Sequence, residues 1–166
     1  MSNYFIIIRG PLACGKTTIS KILAKKINAK YFSIDKILEK QNLDKVDPKI
    51  GCIPEKNFIK AIDTILPKIK NNLKKQNIIF DGCFYHKKFI NYLKNNLPHK
   101  NYIFTFKASI TTCIDRDKNR KISYGKGATQ AVHNLVSKFD CGKIINTNKK
   151  TINETINEII LSLPSQ

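Results

Sequence analysis

The sequence lacks tryptophan and has only one methionine, seven glycines and three arginines among its 166 residues. No apolar stretch approaches the roughly 20 residues that a membrane-spanning helix needs, which argues against an integral membrane protein. Residues 1–9 run directly into a strand pattern and lack the basic start and small-residue cleavage site of a signal peptide. We therefore expect a single cytoplasmic domain over residues 1–166, without a membrane partner.

The five cysteines are widely spaced and odd in number, so they fit neither a zinc motif nor a complete disulfide framework. Reduced thiols are the expected state in a cytoplasmic protein. One of them, Cys14, lies within a glycine-containing loop where its alkylation or oxidation would block ligand binding. We therefore assign no catalytic role to it.

The composition is strongly basic, with a formal net charge of +18. Such a charge is typical of proteins that bind nucleic acid or other polyanions. However, lysine (27), isoleucine (27) and asparagine (17) together make up 71 of the 166 residues, which is the signature of AT-rich codons. A lysine-rich solvated surface produced by this bias is favoured, and an anionic substrate or RNA partner remains possible.

Short apolar runs rich in β-branched residues alternate with segments of helical periodicity along the whole chain. The predicted strands are 4–9, 31–34, 77–80, 101–107 and 143–146. The predicted helices are 16–28, 58–73, 87–97, 109–119, 129–139 and 151–163, the second of them kinked or split by Pro67. This alternation predicts an α/β fold with a five-stranded parallel sheet and helices on both faces.

A phosphate-binding loop connects the first strand to the first helix. The segment fits the pattern GxxxxGK[ST] in full and comprises Gly10, Pro11, Leu12, Ala13, Cys14, Gly15, Lys16, Thr17 and the following Thr18. In such a loop the backbone N–H groups and the helix N-terminus converge on phosphate oxygens. Lys16 is positioned for the β- and γ-phosphates, and the Thr17 hydroxyl is a ligand suited to Mg²⁺. The sequence therefore predicts a P-loop NTPase fold that binds ATP with Mg²⁺.

Two classes of P-loop protein fit the sequence poorly. It contains no guanine-reading motif of the NKxD kind, which argues against a GTPase. It is also short for a motor-like ATPase, and its apolar run Ile78–Phe80 ends in Asp81-Gly82 rather than Asp-Glu. A compact kinase is the expected class.

Two aspartates follow predicted strands at the edge of the sheet where ligands bind. Asp35 is placed to accept the proton of an attacking hydroxyl or to orient that hydroxyl. The alternative for Asp35 is an N-cap of a helix beginning at Lys36. Asp81 is placed to hold Mg²⁺ through water or to bind the acceptor, and its alternative is a simple Asp-Gly turn.

Arg116 and Arg120 are two of the three arginines and lie four residues apart, a spacing that would put both on one face if the helix continued through Arg120. Guanidinium groups grip phosphate oxygens bidentately, which lysine does not do. The glycine-bearing segment 121–127 follows them, so we expect a small lid over approximately residues 116–128. The alternative is that both arginines merely pair with Asp115 and Asp117.

These pieces resemble the P-loop kinases of the chloramphenicol phosphotransferase, zeta-toxin and polynucleotide kinase group. The matching residues are the loop 10–17, the segment 32–35 ending at Asp35, the segment 78–81 ending at Asp81, and the lid arginines. The resemblance implies that Asp35 is the base and that Arg116 and Arg120 touch the transferring phosphate. Residues 39–57, on the acceptor side, show no such likeness.

The expected activity is transfer of the γ-phosphate of ATP to a hydroxyl group of a small-molecule acceptor. A nucleic-acid hydroxyl kinase is the alternative within enzymes, because the basic surface suits a phosphate backbone. A non-catalytic ATP-binding switch, with Asp35 serving only as a cap, is the alternative outside them. The sequence does not identify the acceptor.

Overall fold

The computed structural model describes residues 2–164, which form one five-stranded sheet with eight helices. The strands are β1 (Phe5–Arg9), β2 (Lys30–Ser33), β3 (Ile78–Gly82), β4 (Asn101–Lys107) and β5 (Lys143–Asn146). The helices are α1 (Lys16–Lys26), α2 (Ile34–Lys40), α3 (Glu55–Asp63), α4 (Leu66–Lys75), α5 (Lys87–Asn96), α6 (Ile110–Lys118), α7 (Lys126–Val136) and α8 (Ile152–Ile160). Within this part of the chain, no helix has the length and apolar character needed to cross a membrane.

All five strands are parallel, and their order in the sheet is β2-β3-β1-β4-β5. This arrangement confirms the predicted α/β fold and puts β3 beside β1. Strand β1 is an unbroken apolar run because both of its faces are covered. Phe5 and Ile7 pack into a cluster on one face of the sheet, and Ile6 and Ile8 pack into a second cluster on the other face. The carboxyl ends of β1, β2 and β3 consequently meet at one edge.

Most element boundaries differ from the sequence prediction by one to three residues. The helix expected over 58–73, kinked or split by Pro67, is split into α3 and α4, and Pro67 itself lies in the first turn of α4, where its missing N–H costs nothing. Strand β2 ends at Ser33 and α2 begins at once, so Asp35 lies inside a helix. Helix α6 ends at Lys118, so Arg120 lies beyond it and does not share a helical face with Arg116.

Arg9, at the carboxyl end of β1, is fully buried and forms no salt bridge with any carboxylate in residues 2–164. Its guanidinium donates to the carbonyls of Phe84, Val136 and Phe139 at 2.9–3.3 Å and to the Thr105 hydroxyl. It also lies over the Phe139 ring, 4.2 Å from the ring centroid. Arg9 thus joins the loop after β3 to the end of α7 from within the core.

Replacing Arg9 with methionine is expected to lower the free energy of unfolding by about 3–5 kcal/mol, because buried carbonyls lose their donors. Urea denaturation followed by circular dichroism measures this change. The exposed Lys26→Met variant at the end of α1 is the control and should be nearly neutral. A loss below 1 kcal/mol for Arg9→Met would contradict the proposed structural role.

Candidate active site

The phosphate-binding loop depends on two glycines for different physical reasons. A Cβ at Gly10 would lie 2.8 Å from the Cys14 sulfur and 2.9 Å from the Phe106 carbonyl oxygen, so the close approach excludes a side chain. Gly15 has φ 95°, a left-handed conformation that glycine adopts without strain. Ala13 is also left-handed, with φ 59°. The loop therefore folds back tightly in front of α1, as the motif predicted.

Helix α1 begins at Lys16 directly after this loop. No side chain caps it, and its first turn contains no acidic residue. The first N–H groups of the helix therefore have no side-chain acceptor, and the positive end of the helix dipole is not neutralised. This arrangement suits a phosphate group lying on the loop.

Lys16 is 6% exposed, and its ammonium group turns back onto the loop. The Nζ atom donates to the Pro11 carbonyl at 2.6 Å and lies 3.9 Å from the Cys14 sulfur. Burial by itself would lower the pKa of Lys16, but nearby ionisable groups, Cys14 first and Asp81 and Asp35 among the others, shift the pKa above its usual value. Lys16 is therefore a buried cation at the point where phosphate oxygens would bind.

Asp81 is the centre of a hydrogen-bonded group at the carboxyl end of β3. Its Oδ2 atom accepts hydrogen bonds from the Thr17 and Tyr31 hydroxyls, each at 2.8 Å. Asp81 is 2% exposed, and its Oδ1 atom is buried without a hydrogen-bond partner in the described part of the chain, residues 2–164. Thr17 and Asp81 were predicted from the sequence. Tyr31 was not, because its contact with Asp81 spans 50 residues of chain.

The Thr17 and Asp81 oxygens fit a magnesium ion. The Thr17 hydroxyl donates a hydrogen bond to Asp81 and keeps its lone pairs available, while Asp81 Oδ1 is a buried acceptor without a partner among residues 2–164. Hard oxygen ligands of this kind suit Mg²⁺, which usually retains water and takes phosphate oxygens as further ligands. Residues 2–164 contain no group of three or more His, Cys, Asp or Glu side chains able to hold a metal ion, so those further ligands would be needed.

Asp35 lies in the first turn of α2 and does not cap that helix. The cap is Ser33, whose hydroxyl accepts from the Lys36 N–H at 3.4 Å. The residue as a whole is exposed to solvent, yet the protein packed around its carboxyl group raises the pKa of Asp35 to about 6 by desolvation. The charge of Lys16 lowers this pKa, and the charge of Asp81 raises it. A carboxylate with such a pKa suits proton transfer near neutral pH.

The loop after β3 makes contacts with the segment between α2 and α3 that the sequence did not predict. Phe84 is buried in a left-handed conformation with φ 46°, which is strained for an aromatic residue. Tyr85 accepts a hydrogen bond from the Ile53 N–H at 3.2 Å, and the His86 ring nitrogen lies 2.8 Å from the Ile53 carbonyl oxygen. Two neighbouring side chains thus hold the segment between α2 and α3, part of the region 39–57 in which the sequence showed no usable pattern.

The lid arginines have separate partners in this structure. Arg116 donates to the Thr147 carbonyl at 2.7 Å, and the Thr147 hydroxyl donates to the Cys14 carbonyl at 3.1 Å. Arg116 therefore supports the segment after β5, next to the phosphate-binding loop. Arg120 lies 3.7 Å from Asp117 and faces the Tyr124 ring at 5.9 Å. The two guanidinium groups do not form a joint phosphate clamp in this conformation.

Asp117 shapes the lid between α6 and α7. It is 2% exposed and accepts hydrogen bonds from the Ser123 hydroxyl at 2.6 Å and the Gly125 N–H at 3.0 Å. Desolvation acts to raise the pKa of Asp117, but these hydrogen bonds and Arg120 outweigh it and lower the pKa below its usual value. The segment between α6 and α7, which the sequence predicted as a lid, is consequently an ordered turn anchored on a buried carboxylate.

We expect the two arginines to differ when each is replaced by lysine, which keeps the charge and loses the planar fork. Arg116→Lys should raise the KM for ATP about tenfold, because it loosens Thr147 beside the loop. Arg120→Lys should lower kcat about tenfold with the dissociation constant of ATP within a few fold, if Arg120 reaches the phosphate only on lid closure. Steady-state kinetics at varied ATP concentration distinguish an effect on KM from an effect on kcat. Full activity of both variants would show that neither arginine contributes to the site.

Comparison with known proteins places this geometry in a family. The sequence model of a family described as an AAA domain matches residues 6–134, which include the phosphate-binding loop, both aspartates and both lid arginines. The chain belongs to the AAA domain family.

Three solved structures, two of them kinases, share the fold of this AAA domain. A gluconokinase from Sinorhizobium meliloti 1021 superposes with a TM-score of 0.74 at 10% identity, covering 96% of this chain and 91% of that one. Shikimate kinase from Aquifex aeolicus gives a TM-score of 0.60 at 19% identity, covering 95% of each chain. The tunicamycin resistance protein of Deinococcus radiodurans gives 0.71 at 16% identity, covering 99% and 97%. These similarities establish the fold.

Curated relatives by sequence are nucleotide kinases. A probable thymidylate kinase from Methanococcus maripaludis is 26% identical, covering 95% of this chain and 94% of that protein. A cytidylate kinase from Rickettsia canadensis is 35% identical over 80 residues, which span 45% of this chain and only 34% of that enzyme. The chain therefore resembles P-loop kinases in fold and in sequence.

Proposed function

We propose that this P-loop kinase transfers the γ-phosphoryl group of ATP to a hydroxyl group of a small-molecule acceptor. The observation that supports this proposal best is Asp35, a carboxylate beside Lys16 and Asp81 that is not used as a helix cap. A helix cap would explain an aspartate at this position without catalysis, and Ser33 already fills that role.

In the proposed step, the Asp35 carboxylate accepts the proton of the acceptor hydroxyl, and the hydroxyl oxygen forms a bond to the γ-phosphorus. The bond between that phosphorus and the oxygen bridging to the β-phosphate breaks, and ADP leaves. Lys16 and the N–H groups of the loop stabilise the charge on the phosphate oxygens. Magnesium held at Thr17 and Asp81 would supply further charge neutralisation.

Charge around Asp35 favours an alcohol over a phosphate as acceptor. The carboxylate would repel an acceptor phosphate, and the residue type best suited to grip that phosphate is scarce in this chain. Of the three arginines, Arg9 is buried in the core. Arg116 contacts Thr147 after β5, and Arg120 contacts Asp117 at the end of α6. None is left for an acceptor phosphate. We therefore expect this enzyme to differ in acceptor from relatives named for thymidylate and cytidylate.

A nucleic-acid hydroxyl kinase is the second candidate, and one groove favours it. The groove has a volume of about 500 Å³ and follows β2, the edge strand of the sheet. No acidic residue lines this groove. Four lysines do, namely Lys30, Lys36, Lys40 and Lys68. The groove extends to Ser33, two residues before Asp35 in the sequence.

We also propose a closer kinship with the chloramphenicol phosphotransferase, zeta-toxin and polynucleotide kinase group, based on Asp35, Asp81 and the phosphate-binding loop.

A coupled assay of ADP formation tests the proposal across four kinds of acceptor: sugars and other small alcohols, nucleosides, 5′-hydroxyl oligonucleotides, and the monophosphates dTMP and CMP. We expect a small alcohol or nucleoside to stimulate ADP formation and the monophosphates to have little effect. Preference for the oligonucleotide would replace the proposal with the second candidate. Preference for a monophosphate would overturn it. Tight ATP binding with no stimulated turnover would favour a nucleotide-dependent switch instead.

A further inference from the structure

Tyr31 is the member of the Asp81 hydrogen-bonded group that the sequence did not predict. It lies on β2, is half-buried, and reaches across the sheet edge to Asp81 on β3. We propose that Tyr31 is a positioning residue, which fixes the Asp81 carboxylate in the orientation that binds metal–nucleotide. This inference rests on the metal-binding role proposed for Thr17 and Asp81.

The argument starts from the two oxygens of Asp81, which have unequal surroundings. Oδ2 accepts from both hydroxyls, whereas Oδ1 is buried without a hydrogen-bond partner in residues 2–164. A buried carboxylate oxygen without a partner is costly unless a ligand or water completes it. Two donors on Oδ2 therefore fix the carboxylate plane and leave Oδ1 for the ligand side.

Thr17 alone would hold Asp81 less firmly. Its hydroxyl sits on the first turn of α1 and has to direct its lone pairs toward the metal while it donates to Asp81. Tyr31 approaches from a different strand and has a rigid ring, so its hydroxyl is constrained independently of α1. Hydrogen bonds to metal-ligating carboxylates orient them, and removing such a partner typically weakens metal affinity 10–100-fold.

Packing offers the main competing explanation for Tyr31. The ring lies against the apolar cluster that includes Ile79, so a larger truncation would disturb the core. Phenylalanine retains the ring and removes only the hydroxyl. The matched control is Tyr102→Phe on β4, since Tyr102 packs against the same cluster and makes an edge contact with the Tyr4 ring, away from Asp81.

The test measures Mn²⁺ binding to the enzyme–ADP complex, using the electron paramagnetic resonance signal of free Mn²⁺. Tyr31→Phe should bind Mn²⁺ about tenfold more weakly than wild type, and Tyr102→Phe should match wild type. Raising the metal concentration should restore most of the turnover of Tyr31→Phe, because the defect lies in metal affinity. Affinity within twofold of wild type in a folded Tyr31→Phe protein would overturn the proposal.

A double-mutant cycle separates positioning from packing. If Tyr31 acts through the carboxylate, Tyr31→Phe should have no further effect on Mn²⁺ affinity in an Asp81→Asn background. An equal loss in both backgrounds would assign the effect to packing and overturn the proposal. The Mn²⁺-binding measurements on the single and double variants involve neither an acceptor nor turnover, so failure of the proposed kinase reaction and failure of this inference are distinguishable.

Discussion

Replacing Lys16 with alanine is expected to lower phosphoryl transfer about 10³-fold, the largest effect of any single substitution in the site. Lys16 is buried and carries a positive charge at the loop, where charge develops between the β- and γ-phosphates. Alanine removes that charge and leaves the fold of the loop in place, because Gly10 and Gly15 set its shape. Radiolabel transfer from γ-labelled ATP, in the presence of the best acceptor, measures the loss.

The control for this substitution is Lys21→Ala, an exposed lysine on the same helix. It lowers the net charge by the same amount and should keep near wild-type turnover. Lys16→Ala should also keep its melting temperature within a few degrees, so that the loss reflects chemistry rather than unfolding. Turnover near wild type in a folded Lys16→Ala protein would contradict the assigned role of the loop.

Replacing Asp35 with asparagine is expected to lower kcat/KM by roughly 10²-fold or more while ATP binds normally. Asparagine keeps the size of the side chain and removes the group that accepts the proton. Helix α2 should stay intact, because Ser33 provides the cap. Glu39→Gln, an exposed carboxylate on the same helix, is the control and should have little effect.

The pH dependence gives the same prediction a second readout. Desolvation raises the pKa of Asp35 to about 6, and a general base acts only when it is deprotonated. In wild type, kcat/KM should therefore reach a plateau above this pKa and fall about tenfold per pH unit below it. Asp35→Asn should lose this acidic limb along with most of its rate. An unchanged rate and an unchanged limb in Asp35→Asn would exclude Asp35 as the base.

The sequence was sufficient for the parts of the site that are local in the chain. The phosphate-binding loop, its strand and its helix occupy consecutive residues, so periodicity and glycine spacing predict them together. The sheet also followed from alternating patterns, and β4 and β5 have the predicted boundaries. The sequence predicted Asp35 at the end of a strand, whereas the structure has it in the first turn of α2. Helix α2 follows β2 directly and has only seven residues, so its helical periodicity is too short to recognise in the sequence.

Contacts between distant segments were beyond sequence reasoning. Tyr31 meets Asp81 only because β2 and β3 pair in one register, with Ser33 opposite Asp81. Arg9 reaches carbonyls 75 to 130 residues away along the chain. The partners of the lid arginines depend on where α6 ends, and helix ends are less certain than helix cores. Tertiary packing, rather than local propensity, decides each of these contacts.

The reaction product tests the central proposal most directly. ³¹P nuclear magnetic resonance of a completed reaction, with ATP, Mg²⁺ and the acceptor that best stimulates ADP formation, identifies the bond that the transferred phosphorus has formed. A hydroxyl-directed kinase with Asp35 as base predicts a phosphomonoester on the acceptor together with an equal amount of ADP. A phosphoanhydride on a nucleoside monophosphate, or inorganic phosphate with an unchanged acceptor, would contradict it.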